Sequence, residues 1–226
     1  MAISINTVYQ RVLAILNKEQ RGYLTPQEFN YMANQAQLDI FEQYFYDLNQ
    51  FSRLPGNSTE YSDMVDILEE KISIFETTGS TTYANNYWPE PTDLYRLGSV
   101  IYNGSEVEHV NKNEYLYITL SPLSKPTNDF PIYTRESSGI KVYGAAEITS
   151  GVTFQYIKNP ANASWAFDNT TGLYDGSNST DFELHPSDET EVVIKVLQLA
   201  GVIIKDPSIY QIGSTEEAKD VQQEKA

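Results

Sequence analysis

Two residues, Asn103 and Gly104, constrain the fold of this chain more than any others. Both tolerate positive φ, and they join two short runs of alternating character, Leu97 to Tyr102 and Glu106 to Val110, so they predict a two-residue β-hairpin. Three further candidate strands follow, Pro131 to Arg135, Ile140 to Tyr143 and Val152 to Ile157, punctuated by Gly139 and Gly151 and dominated by β-branched and aromatic residues. The stretch from Asp93 to Lys158 thus reads as a small antiparallel β module. Between the hairpin and the later strands, residues 111–120 admit a short helix or an irregular strand. Asn111 in a capping position with Glu114 three residues on favours the helix, and Pro122 and Pro126 then enforce an exposed loop.

The flanks of this module read as helical. Ile5, Val8, Tyr9, Val12, Ile15 and Leu16 recur at three- and four-residue steps, with Ser4 as a candidate N-cap and Gly22 as the break. Thr25-Pro26-Gln27-Glu28 carries every part of a helix start: a capping hydroxyl, a proline where a missing N–H costs nothing, and a glutamate able to reach back. The stripe Phe29, Met32, Ala33, Ala36, Ile40, Tyr44, Leu48 continues that helix to the loop Leu54-Pro55-Gly56-Asn57. Tyr61, Met64, Val65, Leu68, Ile72 and Phe75 mark a third helix. After a last short strand at Asp181 to Leu184, Ser187 is read as the N-cap of a final helix over 188–204. Asp188, Glu189 and Glu191 sit in its first turn, and Val192, Val193, Val196, Leu197, Ala200, Ile203 and Ile204 form its apolar face.

Such a face requires burial, and the first three helices offer it. The expected fold class is therefore α+β: a bundle of about four helices, discontinuous in sequence, with the small antiparallel β module inserted between the third and fourth. The expected boundaries are 1–80 and 186–206 for the helical domain, 93–185 for the β module, 77–92 for a linker and 207–226 for a polar C-terminal tail. The linker is unusually aromatic, with Tyr83, Tyr87 and Trp88, and the Asn-, Ser- and Gly-rich loop at 159–181 holds Trp165, Phe167 and Tyr174. The linker aromatics either fold back on a domain boundary or form a subunit interface, a loop as long as 159–181 is as a rule functional or disordered, and Tyr83, Tyr87, Trp88 and Trp165 are the interface candidates.

Composition narrows the function classes. The chain has 226 residues, 40% of them hydrophobic, and no cysteine, which removes disulfides, thiolate nucleophiles and cysteine metal sites. No apolar run approaches the roughly 20 residues of a membrane span, and the N-terminus lacks the basic segment and apolar core of a signal peptide, so no membrane partner is expected. The formal charge is −16, and the scattered Lys and Arg offer no cluster to neutralise phosphates, so tight duplex binding is not expected. The acidity keeps the protein soluble, and it also suits a surface past which DNA slides.

Candidate chemistry is thin. His109 and His185 stand in unrelated contexts without a partner at metal spacing. The chain contains no phosphate loop, nucleophile elbow or HExxH pattern. Asp168, Asp175 and Asp181 invite a calcium reading, but no register supplies alternating oxygen ligands, a central glycine and a terminal acid together. Five N-x-S/T sequons, at Asn57, Asn103, Asn162, Asn169 and Asn178, read as turn composition. No enzymatic activity, cofactor or metal is expected.

Four stretches carry a resemblance to a known family: VYQRVLAILNKEQRGYLTPQEFNYMANQAQLDIFEQYF, PEPTDLYRLGSVIY, FPIYTRESSGIKVYGAAEITSGVTFQYIKNPANASW and DFELHPSDETEVVIKVLQLAGVIIKDPSIYQ. In pattern and order the chain resembles the head-to-tail adaptors, or neck rings, of short-tailed bacteriophages (tail tubular protein A-like), and in particular those of crAss-like phages. The resemblance spans nearly the whole chain but rests on no invariant motif. It implies a structural virion protein, assembled in the host cytoplasm, in which a homo-oligomeric ring, typically of twelve subunits, joins the portal to other neck and tail proteins. The ring would continue the channel through which duplex DNA passes during ejection. In such proteins the C-terminal segment docks on the portal, a role that falls here on Ile209, Tyr210 and Ile212. A different class of function, a carbohydrate- or surface-binding module of a phage tail, is suggested by the aromatics and acids of the 83–88 and 165–174 loops.

Overall fold

A computed structural model describes residues 2–18, 24–53, 59–168 and 170–203, together with Thr215 and Lys219. The chain divides into two compact units, one built from residues 1–74 with 160–226 and the other from 75–159.

The first unit is helical: α1 (Ile5–Lys18), α2 (Pro26–Arg53), α3 (Thr59–Ser73) and, after a 3-10 turn at Pro186–Asp188, α5 (Glu189–Ile203). In this unit α2 packs on α3 and α5, and α5 packs also on α1. The apolar stripes meet in one core, with Val8, Val12 and Leu16 of α1, Phe29, Ala33, Ala36 and Ile40 of α2, and Val192, Val196 and Ala200 of α5 all buried. Leu48 and Leu197, both assigned to buried faces by periodicity, are only half-buried. The start of α2 forms the reciprocal pair read from the sequence: the Thr25 amide donates to Glu28 Oε2 at 2.9 Å and the Glu28 amide donates to Thr25 Oγ1 at 3.3 Å.

Two helix starts differ from expectation. The first amide of α1, Ile5 N–H, donates to Asp181 Oδ1 at 2.9 Å, so α1 is capped from 176 residues away. The final helix begins at Glu189, and the turn before it is capped by the His185 ring, whose Nδ1 accepts from the Ser187 amide at 3.2 Å. Proline at position 186 fixes φ for a tight turn, and Asp188 at the end of that turn is buried. The strand expected at Asp181 to Leu184 reduces to a single antiparallel bridge between Ile3 and Phe182.

The segment from 161 to 183 is held along α2 by side-chain amides. Asn30 exchanges two hydrogen bonds with the Trp165 backbone (2.8 and 3.1 Å), Asn34 donates to the Ala163 carbonyl at 2.9 Å, and Gln37 donates to the Ala161 carbonyl at 2.7 Å. Gln37 also accepts from the Glu183 amide at 3.1 Å. Residues 30, 34 and 37 recur at helical spacing, so one face of α2 satisfies backbone groups that an irregular segment would otherwise bury unpaired.

The second unit contains α4 (Lys112–Leu120) and six strands: β1 (Glu76–Gly79), β2 (Leu94–Tyr102), β3 (Ser105–His109), β4 (Ile132–Glu136), β5 (Gly139–Tyr143) and β6 (Val152–Lys158). They form one sheet in the order β1-β6-β2-β3-β4-β5. Asn103 and Gly104 both have positive φ, 49° and 84°, and close the β2–β3 hairpin as their composition demands. Trp88, Val100, Val107, Ile140, Val142 and Phe154 are central to the buried cluster of this sheet.

The expectation of a bundle of about four helices carrying a small antiparallel β module is overturned: the described residues form five α-helices and a six-stranded mixed sheet. Two local causes account for the difference. Glu76–Gly79, which overlaps the start of the stretch 77–92 read as a linker, pairs antiparallel with β6 and extends the sheet. β4 runs parallel to β3, pairing Glu108 with Ile132 and His109 with Tyr133. A parallel pair needs a crossover of a dozen or more residues, and residues 110–131 supply it.

Candidate assembly surface

That crossover is where the second unit departs from ordinary packing. A crossover helix normally covers a sheet with its apolar side. No residue of α4 is fully buried, and Tyr115, Ile118 and Thr119 are only half-covered. The sequence explains this locally, because Tyr115, Leu116, Tyr117, Ile118 and Leu120 leave the helix without a polar face and therefore without one preferred inward side.

Few contacts fix α4 in place. At its start the Asn111 amide donates to Glu114 Oε2 at 3.4 Å, and Lys112 Nζ lies 3.2 Å from Glu136 Oε1 on β4. The Tyr115 ring lies over that of Tyr143 on β5, with centroids 4.4 Å apart. The loop that follows is pinned at Asn128, whose Oδ1 accepts from the Ala145 amide at 3.0 Å. A side chain at Gly144 would meet the same oxygen at 2.4 Å, so it would displace the Asn128 amide that pins the loop.

Several large apolar side chains of this excursion nevertheless face outward. Leu116 is 61% exposed, Tyr117 76%, Leu120 81%, Leu123 98% and Phe130 80%. Single exposed apolar residues are ordinary on a protein surface; five within fifteen residues form a patch of the kind that marks a protein contact.

Electrostatics ties the excursion to the sheet at one point. The Glu136 carboxyl is held below the usual carboxylate range, first by the Lys112 ammonium and then by the Tyr87 hydroxyl. A folded-state pKa lowered in this way contributes stability above the unfolded value, lost as pH falls through the folded one. The site is exposed, so the contribution is small. Lys112→Ala is expected to move the Glu136 titration upward, measured by carboxyl-carbon NMR, while leaving the titration of Glu28, lowered by its hydrogen bonds to Thr25, where it is.

On the same unit, a trough of about 610 Å³ lies over β6 between β1 and β2, lined by Glu76, Thr78, Gly98, Ser99, Gln155 and Ile157 among others. It exists because the β2–β6 register slips between Leu97 and Val100, a bulge that brings Gly98 against the Gln155 backbone.

The aromatics named from the sequence fall in two places. Tyr83, Tyr87 and Trp88 gather on the second unit. The Trp88 backbone exchanges two hydrogen bonds with Ile140 at 2.8 Å, its indole donates to the Ile148 carbonyl at 3.0 Å, and its ring is buried. Tyr83 packs edge-on to Trp88 at 5.6 Å and donates to Glu147, while Tyr87 donates to Glu136 and lies under the Lys141 ammonium at 4.3 Å. Gly139, at φ 139°, lets this strip come in, since a Cβ there would stand 2.4 Å from the Trp88 carbonyl oxygen.

Trp165 belongs to the helical unit, buried against Tyr9 with its indole donating to Asn6 Oδ1 at 3.1 Å. Ile209, Tyr210 and Ile212 lie outside the described residues. Asp168 and Asp175 accept from the amides of Thr170 and Ser177 in their own turns, at 2.8 and 2.9 Å. Among the described residues no group of three or more His, Asp or Glu is placed to hold a metal ion, and no helix is long and apolar enough to cross a membrane.

Sequence reasoning assigned no role to Leu116, Tyr117, Leu120, Leu123 and Phe130. The available signal was a helix apolar on every side, followed by a leucine set between two prolines.

No protein-family model matches the chain, and no curated protein matches it.

Proposed function

We propose that this chain is a structural subunit of a phage neck: a head-to-tail connector that assembles as a ring, of twelve copies in the family it resembles, between portal and tail. The observation that carries the reading is the uncovered apolar surface of α4 and its loop, since a subunit whose work is assembly keeps such a surface for its neighbours. The resemblance in order and pattern along nearly the whole chain supports it. In this reading the protein does no chemistry. Its work is to close a ring, hold portal on one side and tail proteins on the other, and leave a channel for duplex DNA, with the chain's acidity discouraging the DNA from sticking. The protein belongs on this view to the virion neck and is assembled in the host cytoplasm.

The portal contact is assigned to the C-terminal segment, with Ile209, Tyr210 and Ile212 as its apolar anchors. Full-length chain is expected to be retained on immobilised portal and a chain ending at residue 206 to be lost in the wash. Equal retention of the two would remove the tail from the contact, and failure of the full-length chain to bind portal or to form a ring on it would remove the connector reading. Binding to a glycan array instead would favour a carbohydrate-binding module.

A further inference from the structure

We infer that the exposed face of α4 and its loop seats in the β1–β6–β2 trough of a second copy of this chain, so that copies join head to tail. This rests on the ring reading and names the contact that would build the ring.

The helix itself calls for a cover. At nine residues α4 is shorter than the roughly 12–15 at which an isolated helix becomes marginally stable in water, and none of its residues is fully buried on its own unit. Tyr117, Leu120 and Leu123 project where a neighbour can reach them. The trough offers the matching shape: carbon surface at Ile157, depth at Gly98 where no side chain stands, and hydrogen-bonding walls at Thr78, Ser99 and Gln155 for the polar backbone of the loop.

Placement on the sheet sets the kind of contact. α4 is pinned to β4 and β5, at one end of the strand order, and the trough lies over β1, β6 and β2, at the other. A contact between two different surfaces is heterologous. It leaves every open assembly with a free trough at one end and a free projection at the other, so it propagates until it closes into a ring or runs on as a filament.

Charge favours a second copy as the occupant. The whole chain carries −16, so two copies repel over most of their surfaces. Residues 111–130 are neutral, with Lys112 and Lys125 against Glu114 and Asp129. Lys125 stands two residues from Leu123 and Glu76 lines the trough, and among the described residues neither is recorded in an ion pair. Seating the loop brings that cation toward that carboxylate.

The test uses the full chain, which lacks cysteine, so introduced thiols report only the intended contact. Under diamide, T78C/L120C is expected to give a ladder extending beyond dimer, and T78C or L120C alone no more than dimer. In sedimentation velocity the wild-type mass should climb past dimer with concentration, and L120E/L123E should stay monomeric at the same concentrations with an unchanged thermal melt. Both substituted side chains are exposed, so the fold tolerates the charges. A double variant that cross-links no further than the single ones overturns the seat, as does an L120E/L123E chain that assembles like wild type. If wild type assembles but ignores L120E/L123E, the ring reading stands and this contact falls. If wild type stays monomeric and T78C/L120C gives no ladder, the contact falls, and retention on portal decides the ring separately.

Discussion

Lys71→Met is expected to destabilise the helical unit by about 3–5 kcal/mol, the usual cost of stripping a buried ion of its partner. Lys71 Nζ lies 2.8 Å from Asp188 Oδ1, with the two side chains 14% and 5% exposed. The Tyr44 hydroxyl donates to the other carboxylate oxygen, and Ser187 Oγ donates to Oδ1 at 3.0 Å. Removing the ammonium leaves a carboxylate that cannot reach water, held by two neutral donors. Asp188→Leu is expected to cost less, because the Lys71 stem is the more exposed partner and can turn its charge toward solvent. The double variant Lys71→Met, Asp188→Leu should recover part of the loss of Lys71→Met alone, since a well-packed apolar pair replaces a buried ionic one at little net cost. Urea unfolding of the three variants, read at Trp165, gives the comparison. A Lys71→Met chain as stable as wild type would show that the pair is solvated and holds nothing together.

Periodicity made much of the helical unit legible. Val8, Val12 and Leu16, and then Phe29, Ala33, Ala36 and Ile40, are on the buried faces their spacing predicts, because an amphipathic helix writes its packing side into the sequence. Polar groups acting at long range left no such mark. Asp181 capping α1, Gln37 and its two neighbours holding residues 161–183, and Lys71 pairing with Asp188 all join residues more than 100 positions apart. An asparagine on α2 has the same local signature whether it faces water or a backbone carbonyl.

The β unit divides along the same line. The hairpin at Asn103-Gly104 is local chemistry, and it formed as read. Strand direction is not local: nothing in Ile132–Glu136 distinguishes parallel from antiparallel pairing with β3, and β1 was hidden in a Thr-rich segment whose strand character depends on β6 being beside it. For the surface, tryptophans and tyrosines in loops drew attention as interface candidates, yet Trp88 and Trp165 are buried within their own units. A dense run of exposed apolar side chains lies instead on α4 and the loop after it, and α4 is by propensity an ordinary short helix.

Phe154→Ala is expected to have an effect as large as Lys71→Met but confined to the second unit. Phe154 is fully buried on β6, the strand that joins β1 to β2, and it packs among Trp88, Val100 and Val107. Truncating a buried phenylalanine removes its transfer free energy and leaves a cavity that the surrounding structure only partly fills, together about 3–5 kcal/mol. Collapse is hindered here because Val100 and Phe154 sit opposite each other in the register and the backbone of β6 is hydrogen-bonded on both edges. The chain has two tryptophans, Trp88 on this unit and Trp165 on the helical one, so 5-fluorotryptophan labelling gives one fluorine resonance for each. In a urea titration the Trp88 resonance of Phe154→Ala should lose its folded position at clearly lower denaturant than in wild type, while the Trp165 resonance keeps its own midpoint. An unchanged Trp88 midpoint would mean that Phe154 is not part of a close-packed core, and an equal fall in both midpoints would mean that the two units unfold as one.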